Sequence, residues 1–481
     1  LTPPMAMAHL LPVPGGTDTC SFMSYGFDPV VSQHDPYRGG YLAVVEALAA
    51  LAATGVDTRG AYLTHQEYFP KPGQDPARWG LPLAALLGAF RAQMALGVAA
   101  IGGKDSMSGS FNDLDVPPTL VSFAVAAGKA GDVISPELKQ AGHTLVWLRP
   151  RVDEDGLPVP ESLLQVFDTA CGMMRRGKVA AAATPRFGGV AHALAQMALG
   201  NHIGVRVEGN IPLTELFGSA DGSLILALTE PMDVGIRLGE TLAEPVLRHG
   251  DDALSIEDYL RPYEARLEPV FPSRVPGQAG PAPVISSPHK PIKCVRLAKP
   301  RVLIPAFPGT NCEIDTARAF ERAGAVPEII ILRNLRPEMV QESVLRAAKA
   351  MRNSQIVLIP GGFSGGDEPD GSGKFITSFL RAEPMREALD DLLQQRLGLL
   401  GGICNGFQAL IKLGLVPHGR IARADAASPT LSHNLIGRHQ SRLVRVRVAS
   451  TLSPWFSRRR VGDVQLLPIS HGEGRLICDE A

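Results

Sequence analysis

Eight prolines fall between Pro269 and Pro300 of this 481-residue chain, with Gly277, Gly280, Ser286 and Ser287 among them and little apolar periodicity. Proline lacks a backbone donor and clashes inside a helix, so neither a helix nor a central strand can run through such a stretch. It reads as an extended linker, and unlike regions must fold on either side of it. At about 150 residues per domain the chain has room for roughly two to four packed units. Its ends, Leu1 and Asp479-Glu480-Ala481 directly after a strand, read as those of a fragment.

A formal net charge of -1 argues against nucleic-acid or membrane-surface binding, which needs a basic excess. The longest apolar stretch, Tyr41 to Val56, is interrupted by Glu46 and is too short to span a bilayer. The first 37 residues carry no Lys or Arg, so no signal-peptide start is seen. Six scattered cysteines without C-x-x-C spacing predict reduced thiols and a cytoplasmic protein.

Downstream of the linker, apolar runs alternate with amphipathic helices. Strands are expected at Arg301–Phe307, Pro327–Leu332, Ile356–Ile359 and Leu397–Ile403, and helices at Cys312–Gly324, Pro337–Met351, Met385–Arg396 and Asn405–Leu415. This alternation implies an α/β parallel sheet covered on both faces, with ligands at the strands' C-terminal ends, after Phe307, Ile359 and Ile403. Upstream the order is less regular. Helices are expected at Gly40–Ala53, Leu81–Leu96 and Glu161–Arg175, and another after Gly188-Gly189, ending near Gly200. Strands are expected at Thr119–Ala126, Thr144–Leu148, Gly204–Val207 and Leu224–Leu228, with a glycine-rich turn at Gly102–Gly109. Two α+β units follow, divided near residues 130 to 143.

The most specific constellation is Gly401-Gly-Ile-Cys404-Asn405-Gly406, an apolar strand turning directly into a helix with Cys at the corner. So sharp a turn crowds its neighbours, hence Gly402 and Gly406, and it aims the thiol at a helix N-terminus, where a thiolate is favoured. A nucleophilic Cys needs a base and the base an orienting partner. Ser470-His471-Gly472-Glu473-Gly474 offers both, since in an extended segment residues two apart face the same side. His433 and His439 are rival bases in a polar stretch without a comparable partner. Gly361-Gly362-Phe363-Ser364-Gly365-Gly366-Asp367, directly after a strand, exposes N–H groups that could hold an oxyanion or a phosphate. Cys312 lacks the glycine-flanked corner and is expected to be structural. Arg445-Val-Arg447 reads as a half-exposed strand and Arg458–Arg460 as a solvated turn.

Together with Phe307-Pro-Gly-Thr-Asn-Cys312, these segments resemble the class I glutamine amidotransferase domain of the phosphoribosylformylglycinamidine synthase family. Ser24-Tyr-Gly-Phe27, Gln66-Glu-Tyr-Phe69, Ile101-Gly-Gly-Lys-Asp-Ser-Met-Ser-Gly109 and Val116-Pro-Pro-Thr-Leu120 resemble the synthetase half of the large, single-chain form. The resemblance covers the C-terminal part of that form, without its N-terminal domain and first synthetase repeat, which would be the missing partner. It implies an AIR synthetase-like N-terminal-type domain at 1–137, an AIR synthetase-like C-terminal-type domain at 138–268, the linker at 269–300 and a truncated amidotransferase domain at 301–481.

The implied reaction joins glutamine, ATP and formylglycinamide ribonucleotide to give the amidine, glutamate, ADP and phosphate. Cys404 would attack glutamine, His471 would move protons, Glu473 would orient His471, and N–H groups around Gly361, Gly362, Phe363 and Asn405 would hold the oxyanion. Gly103, Lys104, Asp105 and Ser106 would bind ATP and substrate, with Mg2+ as the metal of the complete enzyme. There are departures. Lys104 stands where relatives have a magnesium-binding Asn, and an ammonium cannot ligate a metal. Thr184-Pro-Arg-Phe187-Gly188-Gly189 replaces an Asp-Arg-Ser-Asp-Gly-Gly run that serves an auxiliary magnesium nucleotide, and Ala50 replaces an Asn. Glu46 is the one candidate metal ligand left, and this repeat reads as a scaffold. Rival readings are an amidotransferase feeding another synthetase, a plain Cys hydrolase, and a catalytically silent scaffold.

Overall fold

The computed structural model describes residues 2–275, 297–364 and 373–478. The chain divides into two compact units, Leu1–Pro269 and Val270–Ala481. Most of the linker, with Cys294, lies outside the described residues, as do Gly365-Gly366-Asp367. Among the described residues no helix is long and apolar enough to cross a membrane.

The first unit opens with a five-stranded sheet. Its strands are β1 (Ala6–Leu10), β2 (Thr19–Gly26), β3 (Tyr62–Tyr68), β4 (Ala99–Lys104) and β5 (Thr119–Lys129), in the order β1-β2-β5-β3-β4. Only β3 and β4 run parallel. Two helices cover one face, α1 (Pro36–Ala52) and α2 (Pro76–Leu96). Helix α1 is apolar nearly all round and buried from Gly39 to Ala52, as such a helix must be. A Cβ on Gly88 of α2 would lie 1.9 Å from the Tyr37 carbonyl oxygen, so the two backbones touch. The opposite sheet face leaves Met23, Tyr25, Tyr62, Tyr68, Phe123 and Val125 exposed.

A mixed seven-stranded sheet follows, built of β6 (Thr144–Leu148), β7 (Val179–Ala183), β8 (Gly204–Val207), β9 (Leu224–Leu228), β10 (Ile236–Leu242), β11 (Val246–His249) and β12 (Asp252–Ser255). The order is β12-β11-β8-β10-β6-β9-β7. Its strands β6, β9 and β7 are buried on both faces. Leu224, Leu226 and Leu228 join a core shared with α1 and with α3 (Pro160–Arg175), while Ile225 and Ala227 join a second core with α4 (Gly189–Leu199) and Ile256 of α5 (Ile256–Ala265). This is the period of two expected of a strand with two apolar sides.

In the second unit β13 (Arg301–Ala306), β14 (Val326–Ile331), β15 (Ile356–Ile359) and β16 (Leu399–Gly402) form a wholly parallel sheet in the order β14-β13-β15-β16. Helices α6 (Glu313–Arg322), α7 (Pro337–Arg352), α8 (Lys374–Arg381), α9 (Glu383–Asp390) and α10 (Asn405–Lys412) connect and flank these strands. Phe307 meets Phe375 and Phe379 edge-on in the core. Beyond α10 lie two antiparallel pairs, β17 (Thr430–Ser432) with β20 (Arg475–Ile477) and β18 (Gln440–Arg447) with β19 (Val464–His471).

The α/β alternation and the parallel sheet are those expected. The expected helix Met385–Arg396 instead leaves α-geometry after Asp390, in a π turn over Asp391–Gln395. The glycine-rich turn starts later than expected, because β4 continues through Gly102 and Gly103 beside β3 with a register shift at Leu63/Thr64.

Candidate active site

Strand β16 ends at Gly402 and α10 begins at Asn405, so the chain must turn within two residues. Cys404 makes the corner with φ 52° and ψ -112°, a strained conformation for a side-chain-bearing residue that costs about 1–3 kcal/mol. The flanking glycines are required by contact. A Cβ on Gly402 would lie 2.7 Å from the Gly406 backbone, and one on Gly406 would lie 2.2 Å from the Ile359 carbonyl oxygen. The Cys404 side is exposed, at the N-cap of a helix whose first N–H groups have no side-chain cap. Such a terminus favours negative charge.

The loops after β13 and β15 close on this corner. A Cβ on Gly361 would sit 3.0 Å from the Cys404 Cβ. Thr310 and Gly362 form an antiparallel bridge, and the Phe363 N–H donates to the Gly309 carbonyl at 2.9 Å. The expected oxyanion role of Phe363 is corrected by that bond, because its N–H is spent on holding two loops together. The N–H groups of Gly362 and Asn405 have no backbone partner among the described residues and remain the candidates.

A chain of side-chain contacts runs from the glycine loop to the far strand, and the sequence reading missed two of its members, Ser364 and Gln408. The buried Ser364 hydroxyl donates to Asn405 Oδ1 at 2.5 Å, Asn405 Nδ2 donates to Gln408 Oε1 at 3.2 Å, and Gln408 Nε2 donates to the Glu473 carbonyl at 3.5 Å. The available signal was the i, i+3 spacing that sets Gln408 on the same helix face as Asn405.

His471 ends β19 with its ring against the Gly474 backbone, where an added Cβ would meet Cγ at 2.4 Å. Its Nδ1 is buried without a partner among the described residues. Glu473 makes no hydrogen bond to that nitrogen. The Glu473 carboxylate lies 3.6 Å from His433 Nδ1. His471 and Glu473 do not share an extended segment, because β19 stops at His471 and residues 472–474 bend into β20. Asn434 pins this bend, donating from Nδ2 to the His471 carbonyl at 2.8 Å and from its backbone to that of Gly472 at 2.9 Å. His439 also has a partner, the Ser470 hydroxyl at 2.9 Å from Nε2. Cys312, at the N-cap of α6, lies within electrostatic reach of the corner. Burial chiefly, and Cys404 next, push its thiol above the ordinary range.

In the first unit Gly103 is held to β3, since a Cβ there would lie 2.5 Å from the His65 carbonyl oxygen. Lys104 and Asp105 are exposed, and the Ser106 hydroxyl bonds that of Ser108 at 2.8 Å. Glu67, inside the quoted Gln66–Phe69 segment but not singled out, accepts the Ser106 N–H through its carbonyl. Its buried carboxyl is raised by burial and then by Asp105. Two carboxylates beside a lysine are a poor magnesium site, and among the described residues no group of three or more His, Cys, Asp or Glu side chains could hold a metal.

Glu46 is 4% exposed and accepts the Phe27 N–H at 3.0 Å. Burial pushes its carboxyl up to about 7, Arg186 opposing and Asp221 and Asp28 adding to the rise. A carboxyl with a raised folded-state pKa favours the fold when protonated, so its contribution is lost as pH rises from about 4.5 to about 7. Glu46→Gln is therefore expected to gain about 3 kcal/mol relative to the wild type between pH 4.5 and 8, read as the difference between their unfolding curves at each pH. Parallel curves for the two proteins would exclude it.

Residues 299–481 match the family of CobB/CobQ-like glutamine amidotransferase domains. The chain is similar to phosphoribosylformylglycinamidine synthase subunit PurQ of Methanococcus maripaludis, 33% identical over 184 residues that make 38% of this chain and 61% of the relative. It is similar to the same subunit of Rubrobacter xylanophilus, 33% identical over 181 residues, 38% of this chain and 68% of the relative. The chain spans 61% to 64% of the length of the first relatives it matches. Among solved structures, T. maritima PurL complexed with AMPPCP matches at TM-score 0.42 and 16% identity over 56% of this chain and 48% of that one. T. maritima PurL complexed with FGAR matches at 0.41 and 12% over 82% and 71%. Through its C-terminal unit, the chain belongs to the PurQ family of phosphoribosylformylglycinamidine synthase glutamine amidotransferases.

Proposed function

We propose that the second unit hydrolyses glutamine and that the ammonia serves an ATP-dependent conversion of formylglycinamide ribonucleotide to its amidine. The observation that carries this reading is Cys404 held at φ 52° on a helix N-cap, with the Gly361-Gly362 turn against it. Its thiolate attacks the side-chain amide carbon, the N–H groups of Gly362 and Asn405 hold the oxyanion, and the C–N bond breaks as His471 protonates the departing ammonia. His471 then takes a proton from the water that releases glutamate. The unpartnered Nδ1 of His471 leaves room for Glu473 to turn from His433 and orient the imidazole.

For the synthetase step we propose that Gly103, Lys104, Asp105 and Ser106 contact ATP and substrate, on the resemblance of their segment to the synthetase half of the family. Any Mg2+ would arrive with the nucleotide, for these residues make no metal site. The domains are taken as 1–137, 138–268 and 301–481, with the linker at 269–300, acting in the cytoplasm. The exposed apolar face of the first sheet, with Met23, Tyr25, Tyr62 and Phe123, suits a preceding synthetase repeat as its cover.

A glutamine-analogue alkylator is expected to label Cys404 and spare Cys312 in peptide mass mapping of the full chain. Labelling confined to Cys312, or none that glutamine protects against, would overturn the assignment.

A further inference from the structure

Within the first unit a cavity of about 360 Å³ opens between α4, the strands β8, β11 and β12, and the one-turn helix Leu213–Leu216. Leu194, Val205 and Leu216 line it from the core, while Phe217 and Leu254 line it with 61% and 45% of their surface exposed. Large apolar side chains held in water around a hollow are the usual lining of a small-molecule site. An apolar cavity of roughly 150 Å³ takes a benzene ring, so more than twice that volume has room for two fused rings.

Few polar groups reach this hollow. The Tyr259 hydroxyl lies 2.9 Å from His192 Nδ1, and the Tyr259 ring stacks on that of Tyr263 with centroids 6.1 Å apart. Burial holds the His192 imidazole below its ordinary range and pushes the Tyr259 phenol up to about 12, so this wall carries no charge at neutral pH. The Arg248 guanidinium is paired with the Glu244 carboxylate at 2.8 Å. Asp252 lines the cavity from an exposed position, and its carboxylate repels an anion. His249 supplies the directional group. Its Nε2 lies 2.8 Å from the Ile211 carbonyl, which can only accept, so Nε2 carries the proton. In the neutral ring Nδ1 is then an acceptor, and it has no partner among the described residues.

We propose that this cavity binds an uncharged, flat, fused-ring heterocycle whose ring N–H donates to His249 Nδ1 while its faces rest on the apolar lining. A nucleotide's phosphates do not suit it, since Arg248 is already paired and Asp252 is anionic.

Indole and benzofuran, alike in shape but only the first with an N–H, test this by ligand-observed NMR titration of the full chain at pH 8. Indole is expected to bind at submillimolar concentration, and benzofuran roughly 5–10-fold more weakly, the worth of one hydrogen bond. His249→Gln keeps a donor for the Ile211 carbonyl while removing the Nδ1 acceptor, so it should weaken indole to the benzofuran level and leave benzofuran unchanged. Ala191→Phe, which fills the cavity, should abolish the binding of both in a protein that still melts cooperatively. No binding of indole, indole bound equally well by Ala191→Phe, or a preference for indole that survives His249→Gln would overturn the proposal. A dimer that Ala191→Phe splits would overturn it too, by showing that a second copy covers the cavity. Should Ala191→Phe not fold, Val207→Phe replaces it with the same expected outcomes.

Discussion

Cys404→Ala is expected to lower glutamine hydrolysis by at least about 10³-fold, because no other group at the corner can form the covalent intermediate. The change removes one sulfur from an exposed position. The strained φ of 52° persists with Ala, so the fold should lose little stability. Ammonia release and a thermal melt, run on one preparation, separate the two effects. Cys312→Ala is the matched control, since that thiol faces Asn311 Oδ1 at 3.0 Å and has no glycine-flanked turn. A Cys404→Ala protein keeping more than about a tenth of the wild-type rate would remove this thiol from the chemistry.

Gly406→Ala is expected to have the largest effect on stability. The new methyl would lie 2.2 Å from the Ile359 carbonyl oxygen and 3.0 Å from the Ile359 Cβ. Neither atom can yield cheaply. Ile359 is fully buried, its strand is paired with Gly402, and its carbonyl accepts the Ile403 N–H at 3.1 Å. Helix α10 must therefore draw away from β15, straining the core and weakening that hydrogen bond. The sum is about 3 kcal/mol, or a fall of roughly 6–12 °C in the melting temperature of the second unit. Because the same shift unsets Cys404, hydrolysis should fall well below the melting point too. Gly472→Ala, where nothing lies within 4 Å of the added carbon, should leave the melting temperature nearly unchanged. Equal melting of the Gly406 and Gly472 variants would mean that the turn tolerates bulk.

The contrast between the two glycines bears on what the sequence made legible. Small residues two before and two after Cys404 encode a steric fact, and the corner could be read from them. The parallel sheet was legible because its strands are continuous apolar runs set between amphipathic helices. Strand β3 was not, for its pattern is inverted. Tyr62 and Tyr68 face outward, while His65 and Glu67 are buried. An alternation that puts aromatics outside and titratable groups inside gives no signal to a rule that expects the reverse. The same limit applies to Glu473. Its two-residue spacing from His471 suggested a shared face, but a bend held by Asn434 lies between them, and the donor that makes the bend is far away in sequence. Ser364 and Gln408 were missed because short polar side chains are legible only once their partners are in place.

The contacts from Ser364 through Asn405 and Gln408 to Glu473 join the loop expected to receive glutamine to the acid expected to steer His471. Linked sites of this kind obey reciprocity. If seating glutamine alters the hold of Ser364 on Asn405 and so biases Glu473, then whatever turns Glu473 toward His471 must change the affinity for glutamine by the same factor. Anything that repositions that one carboxylate would thereby control how much glutamine is bound as well as how fast it is cut.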